Sequence, residues 1–428
     1  MTSLVLAGYA SCKKPFSPNL TTVTTNFLAV DGPILSGDST IISLSRTTSL
    51  SDTTQNKVEL KAIVSVEDDQ AKLYPLTELG KGKYALGVTN FDASRKYRLD
   101  IKTSNGKIYQ SDFVPMKVTP PIDSIYFKQN SDASVLFYVN AHDATNSTRY
   151  YRWDYKETWS YVSLFTAYYQ YKNNAVVPIV FDTPDDISTC YRGDVSNQIF
   201  IGSSAKLTED VIAGEQLGGI VSGSEKVAQK YVMRLRQYAL TQDGFNYYQN
   251  LKINTEQLGS IFDAQPTTTV GNIHCITSPG DLVLGFISAS TATSKQFNLK
   301  YQDLPLQVSE PYDIVADSTN SLVASHYFPP PGLTGHVCIP NTGDYVSPSP
   351  YVLVPTPGAT WRIFFTPTAT YNSRIAKVVA SGDSLVFNTM LGYDLNLDIV
   401  GYYYAPKICV DCRLKGGTNI RPSYFPPH

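Results

Sequence analysis

The sequence predicts an all-β protein: tandem β-sandwiches with one helical insertion and a loop-rich C-terminal region. Three observations carry that expectation. Runs of strict apolar–polar alternation recur along the chain. Its 30 tyrosines, beside many Val, Thr and Ser, favour strands over helices. Turn signals punctuate the runs at short intervals. With 428 residues the chain exceeds one ordinary core, so two or three domains are expected. Hydrophobic residues at 42% against 17% charged describe a globular chain, and a net charge of −2 supplies no long-range field to recruit nucleic acid.

Residues 1–19 read as a truncated lipoprotein signal and tether. The apolar stretch Leu4 to Ala10 runs through small residues into Cys12 and then into polar sequence, the pattern of a cysteine acylated after cleavage. No Lys or Arg precedes Leu4, and Tyr9 stands where a branched aliphatic residue is usual. Acyl chains would anchor the protein without a spanning helix, and no apolar run reaches the roughly 18 residues that span a bilayer.

Residues 20–118 are expected to form a first sandwich. In "YRLDIKTSNGKIYQSDF", Tyr97, Leu99 and Ile101 alternate with Arg98, Asp100 and Lys102, and Asn105-Gly106 offers the positive φ angles of a tight hairpin turn. "VELKAIVSVEDD" places Leu60, Ala62, Val64 and Val66 on one face. "GKGKYA" (80–85) feeds a strand, which makes it a turn and not a dinucleotide loop. Pro120-Pro121 marks a stiff link into a second sandwich over 119–304. There "YYRWDYKETW" points Tyr151, Trp153 and Tyr155 one way and Arg152, Asp154 and Lys156 the other. One helix is predicted over 241–259, with Phe245, Tyr248, Leu251, Thr255 and Leu258 on one side, Asp243 as its cap and Gly259 at its end. From 305 to 428 the pattern becomes a proline-punctuated β region.

The blocks "YYRWDYKETW", "GSIFDAQPTTTVGNIHC" and "CVDCRLKGGTNIRPSYF" resemble a family of Bacteroidota outer-membrane lipoproteins known only as a domain of unknown function. The resemblance runs from about residue 25 to the end, with 345–398 reading as an insertion. It implies immunoglobulin-like and fibronectin-like sandwiches, a lipid-anchored envelope protein displayed at the cell surface, and a TonB-dependent transporter as partner. It implies no enzymatic activity and no cofactor. "KKPFSPN" after Cys12 departs from the acidic pattern common in surface-export signals.

Export places the cysteines in an oxidising compartment, where disulfides are the default. With Cys12 set aside for lipid, Cys190, Cys275, Cys338, Cys409 and Cys412 remain, an odd number. The C-x-x-C of Cys409 and Cys412 follows a strand and lacks a helix after it, against a redox motif. A disulfide clasp tying down the terminal segment is expected, with Cys338 joined to Cys409 or Cys412, or Cys409 to Cys412. The alternative is a structural zinc site of His336, Cys338, Cys409 and Cys412. "DTPDD", with Asp182, Asp185 and Asp186, reads as a solvated acidic loop and not a calcium site.

"TWSYVSLFTAYYQYKNN" outlasts a normal strand. Trp159 is expected in the core, while Phe165, Tyr168, Tyr169 and Tyr171, not cleanly alternating, are expected to form a partner surface. The function expected is that of an accessory protein binding a substrate or partner for the transporter. The alternatives are a structural or adhesive envelope protein and an extracytoplasmic hydrolase.

Overall fold

The computed structural model describes residues 26–48, 57–163, 169–173, 175–256, 271–306 and 411–426, and the backbone of short strands at 314–316, 322–324, 362–364, 384–387 and 402–406. The described chain is mostly β-strand in several sheets with a single α-helix. Among these residues no helix is long and apolar enough to cross a membrane.

Contacts group the chain into two units. The first comprises the described parts of Met1–Ile34, Ser39–Pro115 and Thr268–Ser288. One of its sheets orders the strands Val283–Leu284, Leu28–Asp31, Thr40–Arg46, Lys83–Leu86 and Thr77–Gly80. The other orders Ile273–Cys275, Ile108–Ser111, Lys96–Lys102, Ile63–Asp68 and Leu73–Pro75. Alternation buries Ile42, Leu44, Val64, Val66, Tyr97, Leu99 and Ile101, the period-two signature of strands with one face on a core.

Several expectations change here. The limits 20–118, 119–304 and 305–428 give way to units that are discontinuous in sequence. Ile273–Cys275 pairs with Ile108–Ser111, and Val283–Leu284 runs parallel to Leu28–Asp31, so 271–288 joins the first unit. The inward face of "VELKAIVSVEDD" starts at Val64, because Lys61 takes φ +59° and breaks the phase, which leaves Leu60 exposed. In the 97–113 hairpin only Gly106 is left-handed, at φ +86°. Asn105 instead accepts from the Thr103 hydroxyl through Oδ1, and the loop closes through Thr103 N–H to Lys107 O at 2.9 Å. "GKGKYA" is the turn expected, with Lys81 at φ +52° and Gly82 at +72°.

The second unit takes the described parts of Leu35–Asp38, Met116–Thr267 and Ala289–His428. The stiff link expected at Pro120 lies inside this unit: its carbonyl accepts from Gln237 Nε2 at 2.8 Å and from the Thr293 hydroxyl at 2.9 Å. A three-stranded sheet orders Ile122–Gln129, Val135–His142 and Val211–Ile220. A larger sheet orders Thr189–Val195, Tyr150–Val162, Lys230–Ala239, Ala289–Lys300 and Ile34–Ser36, and Phe200–Ser203 also pairs with Tyr150–Val162. The two sheets share one core, in which Phe137 stacks on Tyr231 at 5.3 Å between centroids and Trp153 donates to Gln237 at 2.8 Å. The helix spans Gln242–Glu256. Its start is capped by Thr241 and not Asp243: the Thr241 hydroxyl accepts from Gly244 N–H at 3.2 Å. Tyr248 is the buried member of the expected apolar face, and Leu258 and Gly259 lie outside the described residues.

Candidate functional site

The thirteen-residue strand Tyr150–Val162 organises the second unit. Its odd positions, Tyr151, Trp153, Tyr155, Glu157, Trp159 and Tyr161, point to the shared core, and its even positions point outward. A C-terminal strap, residues 411–426, is built onto this sheet from both faces.

The strap begins on the core side. Cys412 forms a disulfide with Cys190, and both are fully buried in the core cluster. The Tyr161 hydroxyl donates to Cys412 O at 2.9 Å. That hydroxyl also fills the space a Cβ at residue 417 would need, so glycine is required there. Gly416 supplies φ +88° for the turn. Arg192 donates to Lys415 O, lies 5.1 Å over the Tyr161 ring and pairs with Glu225 at 3.3 Å.

Thr418 then bonds reciprocally with Tyr191 on the edge strand, at 2.7 and 3.0 Å. Beyond it, Phe425 packs on the outward-facing Tyr191 and Val232, and the Tyr424 hydroxyl meets Thr158 Oγ1 at 2.8 Å. The strap therefore crosses the sheet edge, with Cys412 on the inner face and Tyr424 and Phe425 on the outer one. The "DTPDD" loop is part of its seat. Asp186 is buried and accepts from Ser188 N–H at 2.9 Å, so it is not solvated as expected, while Asn419 Nδ2 donates to the carbonyls of Pro184 and Asp186, both at 2.8 Å.

Further along the same strand lies a charged cluster. Glu157, buried on the core face, accepts from Lys226 Nζ and from the Tyr231 hydroxyl, the latter at 2.9 Å. Lys226 sits 5.0 Å over the Trp159 ring, whose Nε1 donates to Glu225 at 3.0 Å. Burial and the neighbouring Glu157 carboxylate push the Tyr231 phenol far up, which fixes its proton in the bond to Glu157. Each carboxylate of the cluster carries a cationic or hydrogen-bonding partner, an arrangement that cross-braces strand, loop and strap.

The cysteine pairing differs from both expectations. Cys412 is bonded to Cys190, neither to Cys338 nor to Cys409, and as a disulfide sulfur it is not available as a zinc thiolate. His336, Cys338 and Cys409 lie outside the described residues, as do Cys12, Phe165 and Tyr168. Of the expected partner surface, the backbone of Tyr169 and Tyr171 forms a short hairpin in which they pair with Pro178 and Val176. Trp159 is in the core, as expected. Among the described residues no group of three or more His, Cys, Asp or Glu could hold a metal ion. Cys275 is a buried free thiol.

These features define an all-β, sandwich-like protein whose C-terminal strap is held by a disulfide. The chain belongs to the family described as "Domain of unknown function (DUF4249)", whose model matches residues 13–296. No curated protein matches it. Among solved structures, a DUF4785 family protein from Legionella pneumophila is 13% identical, with a TM-score of 0.16 over 49% of this chain and 52% of that one. The chain thus spans about half the length of that protein. A cycloalternan-degrading enzyme from Trueperella pyogenes is 9% identical, with a TM-score of 0.13 over 63% of this chain and 32% of that one. A biofilm associated protein BSP domain is 9% identical, with a TM-score of 0.13 over 70% of this chain and 63% of that one. Likenesses this slight carry no functional argument.

Proposed function

We propose that this protein is a lipid-anchored accessory protein of a Bacteroidota outer membrane, acylated at Cys12 and displayed at the cell surface, which binds a substrate or partner for a TonB-dependent transporter. The observation that carries the reading is the buried Cys190–Cys412 disulfide. Such bonds form and persist in oxidising compartments and are rare in the cytosol. The apolar run into Cys12 and the family resemblance supply the anchor and the transporter. The role in this reading is binding, and the buried carboxylate Glu157 is engaged by Lys226 and by the Tyr231 hydroxyl.

The test is fractionation and co-purification from the native envelope. The wild type is expected with the outer membrane, bringing a TonB-dependent transporter with it, and Cys12→Ala is expected in a soluble fraction. Tyr168→Ala with Tyr169→Ala should weaken co-purification while thermal stability stays nearly unchanged. An unaltered distribution of the Cys12 variant removes the anchor, and wild-type protein recovered without any transporter removes the partner.

A further inference from the structure

The outward face of the larger sheet in the second unit carries an unusual charge pattern. Its three central strands place Arg152, Lys156, Lys230, Arg234, Arg236 and Lys300 outward, against the single carboxylate of Asp154. The whole chain has a net charge of −2, so this concentration is local. Arg236 is matched by Asp38 at 3.1 Å, and Arg152 approaches Asp154 at 3.9 Å. Among the described residues no carboxylate pairs with Lys156, Arg234 or Lys300.

The register sharpens the point. One cross-strand row reads Lys156, Arg234, Gln296, and four residues further along another reads Ser160, Lys230, Lys300. Each row sets two cations directly opposite one another. The rows are about 13 Å apart along the strands, at 3.4 Å per residue. Like charges directly opposed on neighbouring strands weaken a sheet, and sequences that break such a rule tend to do so at functional sites. Between the rows the strap covers Val232 with Phe425 and lays Tyr424 beside the first row, its ring 4.7 Å from the Arg234 guanidinium and its carbonyl accepting from Gln296 Nε2 at 3.3 Å.

We infer that this face binds an acidic, uronate-bearing polysaccharide, its carboxylates held at the Lys156–Arg234 row and its hydroxyls by the amides alongside. Charge complementarity selects the anion. The rest of the surface selects the sugar: Ser294, Gln296 and Asn298 are exposed beside the cations, and the half-exposed Tyr424 ring offers an apolar plate. An extended peptide would instead need pockets for alternate side chains, whereas this row presents exposed amides and cations. The inference deepens the function proposed above by naming a ligand class. Its test needs neither membrane nor transporter, so the two fail separately.

The test is affinity electrophoresis of the purified full chain through gels containing polygalacturonate, dextran or poly-glutamate, at about 20 mM and about 150 mM salt, which differ in screening. Retardation by polygalacturonate, stronger at low salt, is expected. Lys156→Gln with Arg234→Gln should weaken it more than tenfold, since two charge-assisted contacts are lost. Lys156→Gln alone should melt at or above the wild-type temperature, because a repulsion is removed while the Arg234 contact with Tyr424 is kept. Lys156→Gln alone, at an exposed position, gives the same reading if the pair of changes disturbs folding. The inference is overturned if polygalacturonate does not retard the wild type, if the variants are retarded equally, or if dextran retards as strongly. Retardation by poly-glutamate alone would make the ligand an acidic peptide, and capture only by vesicles of phosphatidylglycerol in phosphatidylcholine would make it a lipid surface.

Discussion

Replacing Cys190 and Cys412 together by alanine probes the strap at its anchor. The bond joins positions separated by 222 residues in sequence. Treated as loop closure in a featureless unfolded chain, that separation is worth about 5 kcal/mol at 25 °C. Real denatured chains retain structure, and native disulfides usually return about 2–4 kcal/mol. Both cysteines are fully buried beside Tyr161 and Trp159, so the missing sulfurs add a cavity cost on the order of 1 kcal/mol. The strap keeps its remaining anchors, Thr418 on Tyr191 and Phe425 on Val232, which limits the loss. A net destabilisation of about 3 kcal/mol is therefore expected. Urea unfolding of the oxidised wild type and the double variant measures it, and hydrogen exchange over 411–426 locates it. In the wild type, Cys190 and Cys412 should resist alkylation until a reductant is added. Equal unfolding midpoints, or alkylation of both thiols without reductant in exported protein, would refute the reasoning.

Three further outcomes are expected. Gly417→Ala should loosen the strap by about 1–3 kcal/mol, read by exchange at 411–426, because the added Cβ meets the Tyr161 hydroxyl. Glu157→Ala should cost about 2–4 kcal/mol in urea unfolding by stranding the buried Tyr231 hydroxyl, and adding Tyr231→Phe should restore part of the loss. At alkaline pH, burial pushes Tyr191 up to about 12, and burial with the neighbouring Glu157 and Asp194 does the same for Tyr155. Their folded values exceed the ordinary one near 10, so their contribution is fully present below about pH 10 and is lost as pH rises toward the folded values. The phenolate absorbance that remains after the exposed tyrosines have titrated should therefore rise together with loss of the near-UV circular dichroism signal, and its completion before unfolding would contradict the burial.

Local phase was legible in the sequence because it depends on neighbours alone. Alternation in "YYRWDYKETW" correctly separates the two faces of the longest strand among the described residues, and Gly80, Lys81 and Gly82 form the turn that "GKGKYA" suggests. What stayed hidden depends on distant encounters. Nothing in the spacing of five cysteines selects Cys190 for Cys412, since their meeting requires the edge strand Thr189–Val195 and the strap to be side by side. The return of 271–288 to the first unit is hidden for the same reason: its strands are short and carry no label for the edges they join. The left-handed Lys61, which ends an apparently continuous alternation, has no turn residue to announce it.

Glu157 shows where phase reading stops and where it could go further. It stands in register with Tyr151, Trp153, Tyr155, Trp159 and Tyr161, so the alternation already turns a carboxylate toward the core. A buried carboxylate without partners would cost several kcal/mol, so the pattern demands a cation and a donor from elsewhere in the chain. The structure supplies Lys226 from the loop before the neighbouring strand and Tyr231 from that strand itself. Their identity could not be read ahead, but their existence could. The opposed lysine and arginine on the outer face follow the same logic with the opposite outcome. Lys156 and Arg234 are in register, exposed and without a carboxylate partner among the described residues. Where the core completes its own circuit of charge, this face leaves one open to an anion from outside.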